Sequence, residues 1–244
     1  MASEGKVLLV ASSYYGPFYP DGMNTGVHFA ELLIPYQVFR EAGYEVQLTS
    51  ETGKCKFDDH SIKKSALGEV ERDAFDNKDN EFWYALKDIK PADKINYKEF
   101  CIMFIAGGHA AMFDLPHATN LQTLAQQIYA SNGVLAAVCH GPVMLPFVDD
   151  TKSPEGRSVV YGKKVTAFNS TGELVMGVSS ALRERNMQDL NSLFREAGAE
   201  FVDPPTPMSD FTQVDGRIVT GVNPMSAKST AEAAIKVSQS LRKT

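Results

Sequence analysis

Cys139 stands in Ala136-Ala137-Val138-Cys139-His140-Gly141-Pro142, where an apolar run ends and, after a turn, a helix-like apolar pattern resumes. A side chain on such a strand-to-helix turn projects at the carboxyl end of a sheet, above the crevice where open α/β sheets bind ligands. Ala137 and Gly141, two residues before and after, are small enough for a crowded turn. The free N–H groups and dipole of a following helix predict a lowered thiol pKa and a nucleophilic thiolate. The plainer alternative for an isolated cysteine is a small buried hydrophobe. That alternative fits Cys101, inside the apolar run 100–105, while Cys55 lies between Lys54 and Lys56 in a polar loop and reads as incidental.

A cysteine nucleophile needs a group that moves protons and donors that hold an oxyanion. His140 is adjacent, although neighbouring residues on a strand point to opposite faces, so only a sharp turn brings ring and sulfur into one pocket. Glu31 sits in the apolar run 27–35, which predicts a buried carboxyl that must be paired or protonated; the alternative is a surface glutamate on an amphipathic helix. Gly107-Gly108-His109 closes another apolar run, and glycine there lets backbone N–H groups approach a substrate oxygen closely; alone, the pair is only a turn. His28, His60, His109 and His117 show no HxH or HExxH spacing, so no metal site is predicted. Phe113, Phe168 and Met112 either line the pocket or pack in the core.

The elements that must position these groups alternate between short β-branched runs and amphipathic helical patterns, which predicts a parallel sheet covered by helices on both faces. Strands are expected over 6–11, 45–49, 100–105, 133–138, 164–167, 211–214 and 217–220, the last two joined by an Asp215-Gly216 turn. Helices are expected over 28–41, 121–131, 141–147, 188–197 and 226–241, with Gly43 and Gly198 as C-terminal caps. A polar, charged stretch over 51–93 reads as an insertion after the second strand, packed over one edge of the core. Val202-Asp203-Pro204-Pro205-Thr206-Pro207 is a rigid connector, since its prolines cannot extend a helix or central strand. Neither a long linker nor an internal repeat divides residues 1–244, so one domain is expected.

Composition excludes several classes. With 43% hydrophobic and 22% charged residues the chain can bury a full core and is not a disordered one. A net charge of −6 without a Lys/Arg cluster argues against nucleic acid. The apolar run after the N-terminus is too short for a signal peptide, and no stretch approaches a membrane span. Three widely spaced cysteines suggest neither a disulfide framework nor a zinc knuckle, and reduced thiols fit a cytoplasmic location, with the nucleus as a second compartment.

The Cys139 turn, the Ala106-Gly107-Gly108-His109 loop and Thr25-Gly26 followed by Glu31 and Pro35 resemble the ThiJ/PfpI superfamily. Ser50-Glu51-Thr52-Gly53, Phe113-Asp114 with Pro116, and Asp215-Gly216-Arg217-Ile218-Val219-Thr220-Gly221 followed by Asn223-Pro224 extend the resemblance over nearly the whole chain. Within the superfamily the sequence is similar to the fungal branch of heat-shock-induced glyoxalases and chaperones. The resemblance implies a flavodoxin-like fold and a catalytic set of Cys139, His140, Glu173 and Glu31, with the backbone N–H groups of Gly108 and His140 as the oxyanion hole. Glu173 would orient His140; without the resemblance it is a helix N-terminal glutamate.

The activity implied is that of a glutathione-independent glyoxalase of the lactate dehydratase (lyase) class, converting methylglyoxal and water to lactate through a Cys139 hemithioacetal, without a cofactor. A homodimer is implied too. A zinc site found in some relatives would fall at His60, in Asp58-Asp59-His60, but no second ligand is identifiable and no metal is predicted. The alternative from another class is a stress-inducible holdase that binds unfolded client proteins, or a redox sensor, since an accessible thiolate is open to oxidation. A cysteine peptidase or amidase is less favoured, because the insertion should narrow the cleft against peptides.

Overall fold

The apolar runs assemble into a seven-stranded sheet in a computed structural model that describes residues 4–242. From one edge to the other its strands are Thr212–Asp215, Ile218–Gly221, Val134–Val138, Ile102–Ile105, Lys6–Val10, Glu45–Ser50 and Lys90–Pro91. All neighbours pair parallel except the first two, which form the hairpin turning at Gly216, φ +60°. Both faces of the central strands are buried, which is why these strands read as continuous apolar runs rather than alternating ones. Leu8, Val10, Met103, Ile105, Leu135 and Ala137 face one core layer; Val7, Leu9, Ile102, Phe104, Val134 and Ala136 face the other.

Helix Thr119–Ala130, the turn Gly141–Phe147 and helix Leu190–Glu196 supply residues to the first layer. Helices Phe29–Glu41 and Ala227–Leu241 pack against each other in the second. Gly43 and Gly198, at φ +84° and +78°, end their helices as the sequence predicts. Among the described residues, no helix is long and apolar enough to cross a membrane.

Several elements differ from the sequence reading. Residues 164–167 do not join the main sheet: Lys164–Val165 pairs with Glu200–Phe201 in a separate two-stranded ribbon, leaving the backbone from Thr166 onward free to turn towards the site. Residues 141–147 form a 3-10 helix rather than an α-helix, with Pro142 at its start and Pro146 inside it to limit α-type hydrogen bonding. Helices Ser170–Val175 and Ser179–Glu184 were not expected, being too short for periodicity to reveal.

The insertion holds helices Glu69–Asp76 and Glu81–Lys87 and ends in the edge strand Lys90–Pro91. It does more than cover an edge. The Val27 N–H donates to Lys56 O at 3.0 Å, the Asp58 N–H to Val27 O at 2.9 Å, and the Phe29 N–H to Ser61 Oγ at 3.1 Å. These bonds clamp the start of the helix that carries Glu31. The other two cysteines are also placed differently than expected. Cys101 is half-buried beside Arg242 rather than in the core, and Cys55 packs against an apolar cluster, where burial pushes its thiol up to about 12.

Candidate active site

Cys139 follows Val138 at the carboxyl end of a central strand, and its backbone takes φ +61°, a left-handed conformation rare for a residue with a Cβ. Such a conformation costs on the order of 1–3 kcal/mol and persists only where surroundings enforce it. Here the Cys139 N–H donates to Gly221 O at 2.9 Å, while its carbonyl accepts from the Phe168 N–H at 3.0 Å. Gly141 must be small, because a Cβ there would lie 2.5 Å from Ile105 O. The turn brings side chains of consecutive residues together: Cys139 Sγ lies 3.2 Å from His140 Nδ1.

The Cys139 carbonyl also fixes the chain that delivers the next group. From Phe168 the backbone enters helix Ser170–Val175, capped by Asn169, whose side-chain oxygen accepts from the Gly172 N–H at 3.0 Å. Glu173, in the first turn of that helix, reaches His140 Nε2 at 2.6 Å through Oε1 and His109 Nε2 at 3.0 Å through Oε2. Burial opposes its charge, but the two imidazoles outweigh it and hold Glu173 well below the ordinary carboxylate range. An ionised carboxylate only accepts hydrogen bonds. Both imidazoles therefore donate from Nε2, and His140 Nδ1 is left with a lone pair facing the thiol. Burial, with His109 adding to it, lowers the His140 pKa in spite of Glu173, so the ring is neutral at pH 7.

Glu31 is fully buried, as its apolar flanks predict. Its Oε2 accepts from the Gly107 N–H at 2.8 Å, and its carboxyl group also interacts with the Cys139 thiol. Burial pushes the Glu31 carboxyl up to about 8, against the opposing pull of Cys139 and Gly107. The thiol is also pushed up, first by burial and then by Glu31; the Gly108 N–H, donating to sulfur, only partly offsets this. The expected low-pKa thiolate is thus corrected. The sulfur is buried and faces a carboxyl, and the following 3-10 turn has no long helix dipole to counter either effect. Burial and mutual repulsion thus favour the protonated forms of both the thiol and the carboxyl group.

The glycine pair is demanded by space. A Cβ on Gly107 would stand 2.7 Å from Glu31 Oε2, from the His140 backbone N and from Val138 O, and one on Gly108, at φ +96°, would stand 2.3 Å from Gly26 O. Sequence reasoning grouped Cys139, His140, Glu173, Glu31 and Gly108, and the fold brings all five together. It missed three others. His109 shares Glu173 with His140, its ring 4.1 Å away. The buried Tyr19 hydroxyl donates to Asp58 Oδ2 at 2.7 Å and lies 3.3 Å from His109 Nδ1. His109 was discoverable from its place beside Gly107-Gly108; Tyr19 and Asp58 carry no local signal.

His109, His140 and Glu173 bring their potential ligand atoms within 4.8 Å of one another. Hydrogen bonds between them occupy those atoms, so a metal ion there would have to displace both Nε2 protons. The Asp58-Asp59-His60 stretch disperses its donors: Asp58 holds Tyr19, Asp59 accepts from Tyr15 and Asn24, and His60 Nε2 meets Asp21 at 2.8 Å while its ring stacks on Tyr19. Phe168 lines the cavity, whereas Phe113 stacks on Tyr14 and Met112 packs in the core.

The cavity above the sulfur has a volume of about 380 Å³. Its inner end is formed by Cys139, His140, His109, Tyr19 and Gly108. Ala66 and Glu71, both from the insertion, form part of one wall.

Known proteins are similar to this chain in sequence and, for one, in structure. A fission-yeast (Schizosaccharomyces pombe) protein named glutathione-independent glyoxalase hsp3102 is 61% identical over 96% of this chain and 98% of its own. Baker's yeast (Saccharomyces cerevisiae) glutathione-independent glyoxalase HSP31 is 43% identical over 94% and 96%. The crystal structure of glyoxalase III from Candida albicans superimposes with a TM-score of 0.92 at 42% identity, covering 96% of this chain and 97% of that one. The DJ-1/PfpI family model matches residues 23–237, and the chain belongs to that family.

Proposed function

We propose that this protein is a glutathione-independent glyoxalase that converts methylglyoxal and water to lactate, with Cys139 as the nucleophile. The observation that carries the reading is the contact of Cys139 Sγ with His140 Nδ1 at 3.2 Å, on the same sulfur that faces the protonated Glu31. The names of the relatives support it.

Cys139 sulfur adds to the aldehyde carbon as His140 Nδ1 takes the thiol proton, giving a hemithioacetal. The N–H groups of Gly108 and His140 hold the developing oxyanion. His140 hands the thiol proton to the oxyanion and then takes the proton from C1 while Glu31 gives its own to the second carbonyl oxygen, forming an enediol; His140 next delivers its proton to C2 as Glu31 recovers one from the C1 hydroxyl. The product of this shift is a thioester of lactate. Water adds to the thioester, the C–S bond breaks, and lactate leaves as the thiol regains its proton. Glutathione is dispensable because the protein supplies the sulfur.

Purified protein should form lactate from methylglyoxal without glutathione, and Cys139→Ala should abolish it. An inactive wild type, or an active Cys139→Ala, would overturn the assignment.

A holdase activity toward unfolded clients is a second reading, favoured by the exposed apolar side chains of Leu174 and Val175, 71% and 67% accessible. Suppression of aggregation that survives Cys139→Ala would make it an independent activity. The family resemblance supports a homodimer, which light scattering tests. The free cysteines support a reducing location in cytoplasm and nucleus, which imaging of a tagged protein tests.

A further inference from the structure

Methylglyoxal has five non-hydrogen atoms. Even at the ~30 Å³ that a water molecule occupies in the liquid, each atom counted as one water, it fills roughly 150 Å³. The cavity of about 380 Å³ leaves more than half unfilled. What lines the outer part is apolar and comes from separate stretches of chain: Met176 after helix Ser170–Val175, Met208 beyond the proline-rich connector, Met225 in the 3-10 turn Pro224–Ser226, and Phe168. The three methionines are 41–52% accessible, so they form a mouth rather than a core. Unbranched thioether side chains repack around varied apolar groups and make favourable contacts with aromatic rings.

Charge sharpens the choice. Among the described residues, neither lysine nor arginine lines this cavity, and Glu71 stands at its wall with Glu173 ionised near its inner end. Nothing there compensates a carboxylate or phosphate on an entering molecule, and the two glutamates repel it.

Resting on the glyoxalase reading, we propose that this site takes uncharged 2-oxoaldehydes whose second carbonyl carries an apolar group larger than methyl, such as an aryl or branched alkyl group. That group is seated among Met176, Met208, Met225 and Phe168. The dicarbonyl end lies at Cys139, and the chemistry is unchanged: an aryl glyoxal and water give the corresponding 2-hydroxy acid. Each buried methylene favours the larger substrate by about fourfold.

The test compares kcat/KM for methylglyoxal, phenylglyoxal and 4-carboxyphenylglyoxal in the wild type, in the double variant Met208→Gln/Met225→Gln and in Met208→Leu/Met225→Leu, with the hydroxy acid measured as product. The expected wild-type preference for phenylglyoxal over methylglyoxal is about tenfold or more. It should fall at least fivefold in the glutamine variant and persist in the leucine variant, and 4-carboxyphenylglyoxal should be used at least tenfold less well than phenylglyoxal. A preference unmoved by glutamine, or 4-carboxyphenylglyoxal used as well as phenylglyoxal, would overturn the proposal while leaving the glyoxalase reading intact. Loss of product from both uncharged oxoaldehydes in the wild type would overturn the two together.

Discussion

Glu173 Oε2 lies 3.0 Å from His109 Nε2, on a carboxylate whose other oxygen is held by His140 at 2.6 Å. One acid therefore sets the tautomer of two imidazoles. In Glu173→Gln the side chain keeps its shape but offers one acceptor oxygen and one NH2 group, so one ring must rotate or change tautomer. Turnover of methylglyoxal should fall by about 10²–10⁴-fold, with the fold intact by circular dichroism. Activity within threefold of wild type would show that the shared carboxylate does not matter.

The pH profile should be bell-shaped. His140 must be neutral to accept the thiol proton, and its pKa lies below the ordinary 6.5, so activity is retained at pH 6.5 and lost as the ring protonates at lower pH. Glu31 must be protonated to act as an acid, so kcat/KM should fall as pH rises through about 8. Initial rates between pH 4.5 and 9.5 decide this; a profile flat above pH 7 would remove Glu31 from the proton transfers.

Stability should respond to Glu31 in a defined direction. Its carboxyl ordinarily titrates near 4.5 and in the fold at about 8. Below 4.5 both folded and unfolded chains hold the proton and the residue carries no penalty. Between the two values only the folded chain keeps it, so stability is lost with rising pH until about 8, by at most on the order of 5 kcal/mol. Glu31→Gln, which cannot ionise, should melt several degrees above the wild type at pH 9 and level with it near pH 4.5, although its activity falls. Equal melting temperatures at pH 9 would contradict the buried placement.

Gly108→Ala should destabilise the protein by about 2–4 kcal/mol, which for a domain of this size lowers Tm by roughly 5–15 °C. The new methyl group would meet Gly26 O at 2.3 Å from a backbone already at φ +96°. Differential scanning calorimetry measures the loss. A shift below 2 °C would mean that the two loops separate freely.

The central strands were legible because both of their faces are buried, so apolar runs such as Val7–Ala11 carry the signal directly. The site was legible where a residue conflicts with its surroundings: a glutamate among apolar neighbours, a cysteine between small residues at a strand end. The ribbon at Lys164–Val165 was misplaced because a short apolar run does not say which sheet it joins. The thiol pKa was misjudged because the groups that set it, Glu31 and the burying walls, are distant in sequence. Tyr19 and Asp58 were invisible for the same reason: their relation to His109 exists only after residues 19, 58 and 109 are folded together.

The insertion clamps the helix of Glu31 and sends Ala66 and Glu71 to the cavity wall, yet it contributes neither the sulfur nor its imidazole and carboxylate partners. One wall of the substrate cavity and the reacting groups therefore come from different stretches of the polypeptide. Exchanging the insertion's wall residues offers a route to a changed substrate range that leaves the machinery around Cys139 in place, so a diverging copy of this gene could alter its diet without rebuilding its chemistry.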